Sequence, residues 1–382
     1  MPSPTPSVQP QALITWGKAI ASQLIVWHHL ARYGPLADAL SGQFPALSAW
    51  LVSQARMAVQ VFIVVGGFLA ARSLWPAPVT PQLGPAGWLS RVAQRWRRLW
   101  PVYALALSLA VLAAAVARIW MQNSDTPGVP TLGQLLANAF MLQDVLRVPA
   151  LSAGIWYVAI DLQLFALLAA LAALTHALQH GRVTRATKPN QATDRPIDWL
   201  PLCIVVPGVA ASLWWWNRDP SGNAWAPYFF GAYGLGVLAA WGQRCDGPSR
   251  LWWAALIAGL AAMALVVGWR SRVALAAATA LVLLWQPGSR MLAKSHLHPI
   301  MAWLAKVAYP VFLVHYPVAL LLNATATRIG LHHPWAQMAA LLLAWLISLA
   351  LGWLVWRCVE SRPWANTRGT KEAVTPALQH VR

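Results

Sequence analysis

The chain has 382 residues, of which 58% are hydrophobic and only 10% are charged. Soluble globular proteins carry about 25% charged residues, so this composition excludes an ordinary soluble domain and indicates a polytopic membrane protein. The formal net charge is +18, but the basic residues fall in short loops between apolar runs, where lysine and arginine set membrane orientation. We therefore expect the lipid bilayer, and no nucleic acid, as the partner of this surface.

Ten apolar runs of about twenty residues predict ten transmembrane helices in one all-α bundle. The bundle is expected to occupy residues 13–357, between a short polar tail at 1–12 and a cytoplasmic tail at 358–382. Basic residues concentrate in the loops that lie inside when the N-terminus is cytoplasmic, so we predict that both termini are cytoplasmic. The predicted spans lie near 13–33, 54–75, 99–120, 154–177, 199–216, 225–242, 251–269, 272–286, 299–323 and 335–357.

The first predicted span carries Lys18, His28 and His29. Polar side chains lose water in a bilayer and are usually retained there for function. Lys18 and His29 are separated by roughly 16 Å along a helix, about half of a ~30 Å hydrocarbon core. Consecutive histidines point about 100° apart, so at most one of them is expected to face a site. Helical metal ligands use i, i+4 spacing, which this pair lacks, so we predict no metal site.

Asp161 is the one acidic residue well inside a predicted span. It is expected roughly 10 Å below the outer end of its helix, at a depth where it can meet His29. A carboxylate that holds one imidazole nitrogen strengthens the other as a general base, as acyl transfer to a hydroxyl requires. The alternative is that the two residues are separate packing groups with other partners.

Four arginines, Arg91, Arg95, Arg97 and Arg98, cluster at the inner start of the third predicted span. Guanidinium groups bind phosphates through two parallel hydrogen bonds, so the cluster can hold the phosphates of a cytosolic acyl-CoA. The alternative is an anchor that contacts lipid headgroups.

Five segments, in order along the chain, carry motif residues. They run from Lys18 to His29, Phe62 to Phe68, Arg95 to Pro101, Trp156 to Asp161, and Tyr309 to Pro317. Together they resemble the signatures of the membrane-bound acyltransferase 3 family, integral-membrane O-acyltransferases that modify cell-surface glycans and other acceptors. The resemblance covers nearly the whole chain. The chain departs from the pattern at Lys18, where arginine is usual, at Gly66, which replaces serine, and at Asp161, which replaces glutamate.

The resemblance implies an acyltransferase of the bacterial inner membrane. It is expected to move an acyl group, most simply acetyl, from cytosolic acyl-CoA to a hydroxyl of a cell-envelope glycan or a similar acceptor. His29 is then the general base or a transient acyl carrier, and Asp161 is its orienter. The other implied site residues are Lys18, Arg95 and Arg98 on the CoA side and His315 and Trp156 on the acceptor side.

Two other functions fit parts of the same pattern. A proton-coupled transporter or flippase of a lipid-linked sugar also uses lysine, histidine and aspartate inside the membrane, but it does not need the cytoplasmic arginine cluster. A catalytically inactive assembly partner is the alternative that the three motif departures leave open. His315 has its own alternative role, as a hydrogen-bonded histidine of the bundle interior.

Overall fold

The computed structural model describes residues 9–75, 85–124, 126–183 and 199–361. Within these ranges all regular structure is helical, with no β-strand. The helices are α1 (Gln9–Leu30), α2 (Pro35–Gln43), α3 (Pro45–Ser53), α4 (Val59–Leu74), α5 (Pro85–Trp120), α6 (Leu132–Ala139), α7 (Ile155–Val183), α8 (Trp199–Trp214), α9 (Ala226–Gly242), α10 (Gly247–Val267), α11 (Ser271–Trp285), α12 (Ser289–Lys294), α13 (His298–Arg328) and α14 (Pro334–Val355).

Each predicted span coincides with one helix, which confirms the all-α multi-pass fold. In the described part of the chain, seven helical segments are long and apolar enough to cross a membrane, and α11 is a shorter apolar helix. The other two predicted spans correspond to α1, whose polar residues lower its mean hydropathy, and to α9, which has 17 residues. The seven segments are Pro45–Leu74, Gly87–Trp120, Ile155–Leu178, Trp199–Arg218, Gly247–Val267, His298–Arg328 and Pro334–Glu360.

The predicted boundaries are wrong at several loops. Helix α5 begins at Pro85 rather than near residue 99. The arginines that precede the apolar run are good helix formers, so the helix continues through them. The arginine cluster therefore lies on the helix itself. Three short helices occupy segments that hydropathy predicted as loops. Helices α2 and α3 each have proline in the first turn, and α6 is capped by the Thr131 side chain.

Helix α13 is the largely buried centre of the bundle and packs against α1, α5 and α14. Trp16 of α1 donates to His298 Nδ1 over 3.3 Å at the start of α13, and His29 meets His315 farther along. His315 lies about 25 Å from the start of α13 and about 20 Å from its end, from the rise of an α-helix. The contact between α1 and α13 therefore reaches the middle of the bundle.

Helices α4 and α9 touch through their backbones. A Cβ atom at Gly67 would overlap the Tyr233 carbonyl group, and one at Gly236 would overlap the Val64 carbonyl. Small residues permit this approach, which is common where helices associate inside a membrane. The contact fixes Tyr233 beside α4, next to Gly66 and Gly67.

Candidate active site

The buried histidine pair His29 and His315 joins α1 to α13. His29 Nδ1 lies 2.6 Å from His315 Nε2, and the two rings are nearly coplanar and meet edge to edge, with centroids 4.8 Å apart and planes 5° apart. His315 Nδ1 lies 3.3 Å from the Val311 carbonyl oxygen.

This chain of contacts assigns the ring protons. A carbonyl oxygen only accepts, so the proton of neutral His315 sits on Nδ1 and its Nε2 becomes an acceptor. His29 must then donate from Nδ1, which leaves the lone pair on His29 Nε2. Nε2 is therefore the nitrogen of His29 that can take a proton.

The predicted contact between Asp161 and His29 is wrong. Both carboxylate oxygens of Asp161 accept from Arg95, with distances of 2.7 and 2.8 Å from Nη2 and 3.2 Å from Nε. The guanidinium group also lies over the Phe165 ring, 4.6 Å from its centroid. A guanidinium offers a carboxylate both a full charge and several donors in one plane, whereas a neutral imidazole offers one donor. The side chain that contacts His29 Nδ1 is His315, not Asp161.

The structure divides the three residues predicted for the CoA side. The guanidinium of Arg95 is occupied by Asp161, so it does not present a free fork to a phosphate. Lys18 and Arg98 instead lie within electrostatic range of each other and of Glu360. The Arg98 side chain is exposed and Lys18 is half-buried. These two residues form a basic group beside the N-terminal half of α1, whereas His29 lies at its C-terminal end.

A cavity of about 760 Å³, here called the chamber, adjoins the C-terminal end of α1. His28, His29 and Trp156 line it, together with Tyr228, Phe229 and Phe312. Trp156, predicted for the acceptor side, stacks on Phe229 with ring centroids 5.8 Å apart.

Two predictions about histidines need correction here. Both His28 and His29 line the chamber, because it is wide enough to reach two faces of α1. His28 Nδ1, however, is 3.0 Å from the Leu51 carbonyl oxygen, and only His29 is joined to His315. His315 is fully buried and does not line the chamber, so it supports His29 rather than contacting an acceptor.

Sequence reasoning missed Tyr233, which lies beside the Arg95–Asp161 pair. Its hydroxyl is buried without a hydrogen-bond partner among the residues that the structure describes. A Cβ atom at Gly66 would lie 3.3 Å from the Tyr233 ring and 3.5 Å from Asp161 Oδ1. The departure from the family motif at Gly66 was the available signal, because the missing serine would stand next to these polar groups.

The fold and the site together define a class: a multi-pass membrane protein with a buried histidine pair, of which His29 lines a chamber. Residues 12–357 match the family model for the acyltransferase 3 domain, described as an acyltransferase domain. The chain therefore belongs to the acyltransferase 3 family and is a membrane acyltransferase, which confirms the resemblance seen in its motifs. Searches of curated proteins and of solved structures gave no significant match.

Proposed function

We propose that this protein transfers an acyl group, in the simplest case acetyl, from cytosolic acyl-CoA to a hydroxyl of a cell-envelope glycan or a similar acceptor. The observation that carries the proposal is the hydrogen-bond chain from Val311 through His315 to His29. It leaves one basic nitrogen, His29 Nε2, on a residue that lines the chamber. A positioned base of this kind accelerates proton transfer by about 10²–10⁴-fold.

The reaction proceeds as a direct transfer. The acceptor hydroxyl donates its proton to His29 Nε2 while its oxygen attacks the thioester carbonyl carbon. The carbon–sulfur bond breaks, and the CoA sulfur leaves and takes the proton from His29. His315 Nε2 keeps its hydrogen bond from His29 Nδ1 throughout, so the ring stays oriented while it carries the positive charge.

The donor is proposed to enter from the end of the bundle that holds Lys18 and Arg98. The guanidinium of Arg98 is exposed and suits a phosphate or diphosphate of CoA. Lys18 and His29 are about 16 Å apart along α1, a distance that the extended arm of CoA has to bridge so that its thioester reaches the base. This donor end is expected to be cytoplasmic, with both termini on that side of a bacterial inner membrane, because the arginine cluster lies there.

Family membership favours acyl transfer over the transporter alternative, because the matched family model describes an acyltransferase domain. A chemical test separates the two directly. Cells that express the wild-type chain, His29→Ala or His28→Ala are compared by mass spectrometry of their surface glycans and lipids. We expect an added acyl mass with wild type and His28→Ala and its loss with His29→Ala at equal membrane levels. An unchanged acyl mass in His29→Ala cells would contradict the proposal.

A further inference from the structure

Three arginines line the chamber: Arg56, Arg270 and Arg272. Among the described residues, Asp144 is the only acidic one in its lining. The ion pairs among the residues that the structure describes are Arg95–Asp161 and Arg250–Asp246, so none of the three chamber arginines has a carboxylate partner there. The wall of the chamber therefore carries uncompensated positive charge.

Two of these arginines are fixed in place by one buried residue. The side-chain oxygen of Asn217 accepts from Arg270 Nη1 over 3.1 Å, and its backbone oxygen accepts from Arg272 Nη2 over 2.6 Å. Asn217 is itself held by a 3.0 Å hydrogen bond from Nδ2 to the Tyr228 carbonyl. Arg272 lies over the Tyr228 ring, 5.0 Å from its centroid. Both guanidinium groups are thus positioned by neutral partners before any ligand arrives.

This arrangement is electrostatically unfavourable by itself. Burial and the nearby charges of Arg272 and Arg218 lower the pKa of Arg270, yet arginine stays protonated in proteins. The carbonyl groups around the pair satisfy some N–H donors without neutralising either charge. Arg272 Nε is a buried donor with no partner in the part of the chain that the structure covers. Fixed cations with spare donors are the arrangement that binds an oxyanion.

Arg56 adds a third cation from a different element. It lies on the short helical turn Ala55–Ala58 that leads into α4. Its Nε donates to the Ser53 carbonyl over 3.2 Å, and the side chain is exposed. Its guanidinium end is therefore available to a molecule in the chamber, from a chain segment remote from α11.

We propose that the acceptor bound in the chamber carries an anionic oxyacid group, a carboxylate or a phosphate on a sugar. Arg270 and Arg272 bind this group together with Arg56 as the third cation, and the neighbouring hydroxyl of the same molecule reaches His29 Nε2. The idea rests on the proposed acyl transfer and narrows its acceptor to acidic saccharides. Trp156 and Phe229, which stack at the same wall, supply an apolar surface for the sugar ring.

The test uses the full chain in nanodiscs of phosphatidylcholine. The probes are glucuronic acid, glucose 6-phosphate and, as the neutral match, glucose, and the readouts are the thermal midpoint and the Kd. We expect both acidic sugars to bind, and glucose to bind at least about tenfold more weakly, as a charge-assisted hydrogen bond would give. Comparing the uronate with the phosphate identifies which oxyacid the site prefers.

Single substitutions distinguish binding by the chamber arginines from a general effect of the protein's positive charge. Arg272→Gln and Arg56→Gln should each weaken the binding of the acidic sugars by about tenfold, and Arg272→Lys should lose less affinity for them. Arg328→Gln, an exposed arginine outside the chamber lining, is the matched control and should bind like wild type. If Arg272→Gln fails to fold, Arg56→Gln, at an exposed position, decides alone.

Three outcomes would overturn the inference. One is equal binding of glucose and the acidic sugars, and another is unchanged binding in both glutamine variants. The third is protection by added phosphatidylglycerol but not by the sugars, which would assign the arginines to a lipid headgroup. His29→Ala should retain acidic-sugar binding. If acidic sugars bind through these arginines but acyl-CoA is never consumed, the proposed transfer fails while the anion site stands.

Discussion

Replacing His315 by leucine tests how His29 is held as a base. The substitution removes the acceptor that lies 2.6 Å from His29 Nδ1 and leaves a buried donor unpaired or moves its proton to Nε2. An unpaired buried donor costs about 1–3 kcal/mol. If that cost appears in the transition state, kcat falls by about 5–150-fold, at about 1.4 kcal/mol per tenfold.

The assay is release of the CoA thiol by the purified protein in proteoliposomes supplied with acetyl-CoA and an acceptor extract. The KM for acetyl-CoA should stay near the wild-type value, because His315 lies away from Lys18 and Arg98. His315→Gln, whose amide oxygen can accept from His29, should recover part of kcat. Val314→Ala, at the adjacent and equally buried position, controls for packing loss. Full kcat in His315→Leu would refute this account of the histidine pair.

Three further predictions concern stability, measured as the thermal midpoint in detergent. Arg95→Ala should lower the thermal midpoint more than the double variant Arg95→Ala/Asp161→Ala does, because the single change leaves a mostly buried carboxylate unpaired. Equal midpoints would contradict the claim that Arg95 stabilises this carboxylate. Gly67→Ala should abolish folded protein, since its Cβ overlaps the α9 backbone, whereas Gly259→Ala, which meets nothing within 4 Å, should fold normally. Burial raises the pKa of Asp144, so its ionisation opposes folding as pH rises above its ordinary value of about 4. Asp144→Asn should therefore raise the midpoint at pH 7 and not at pH 3.5, and the opposite trend would show that the carboxylate is stabilised by a charge.

The sequence predicted the helices well, because an apolar run of membrane length can satisfy its backbone inside a bilayer by forming a helix. The structure places His29 and Trp156, both predicted as site residues, at one cavity. The sequence did not predict the contact between His29 and His315, which are 286 residues apart, because helical periodicity does not say which helices become neighbours.

The error at Asp161 has a related cause. The low hydropathy of the arginine cluster hid the first turns of α5, so Arg95 was treated as a residue near a loop. A charged residue on a helix inside the bilayer normally needs an opposite charge. That rule, applied to the longer helix, would have pointed from Asp161 to Arg95. The chamber arginines were not predicted as site residues, since their common wall depends on how α4 and α11 pack.

The central claim is that His29 takes the acceptor proton during transfer from acyl-CoA. The most direct measurement is acetyl transfer from isotopically labelled acetyl-CoA by purified wild-type, His29→Ala and His28→Ala proteins in proteoliposomes with an acceptor extract. We expect His29→Ala to lose at least about 10²-fold in transfer rate with unchanged acetyl-CoA binding, and His28→Ala to lose much less. Equal losses in the two variants, or transfer by His29→Ala at the wild-type rate, would contradict the claim.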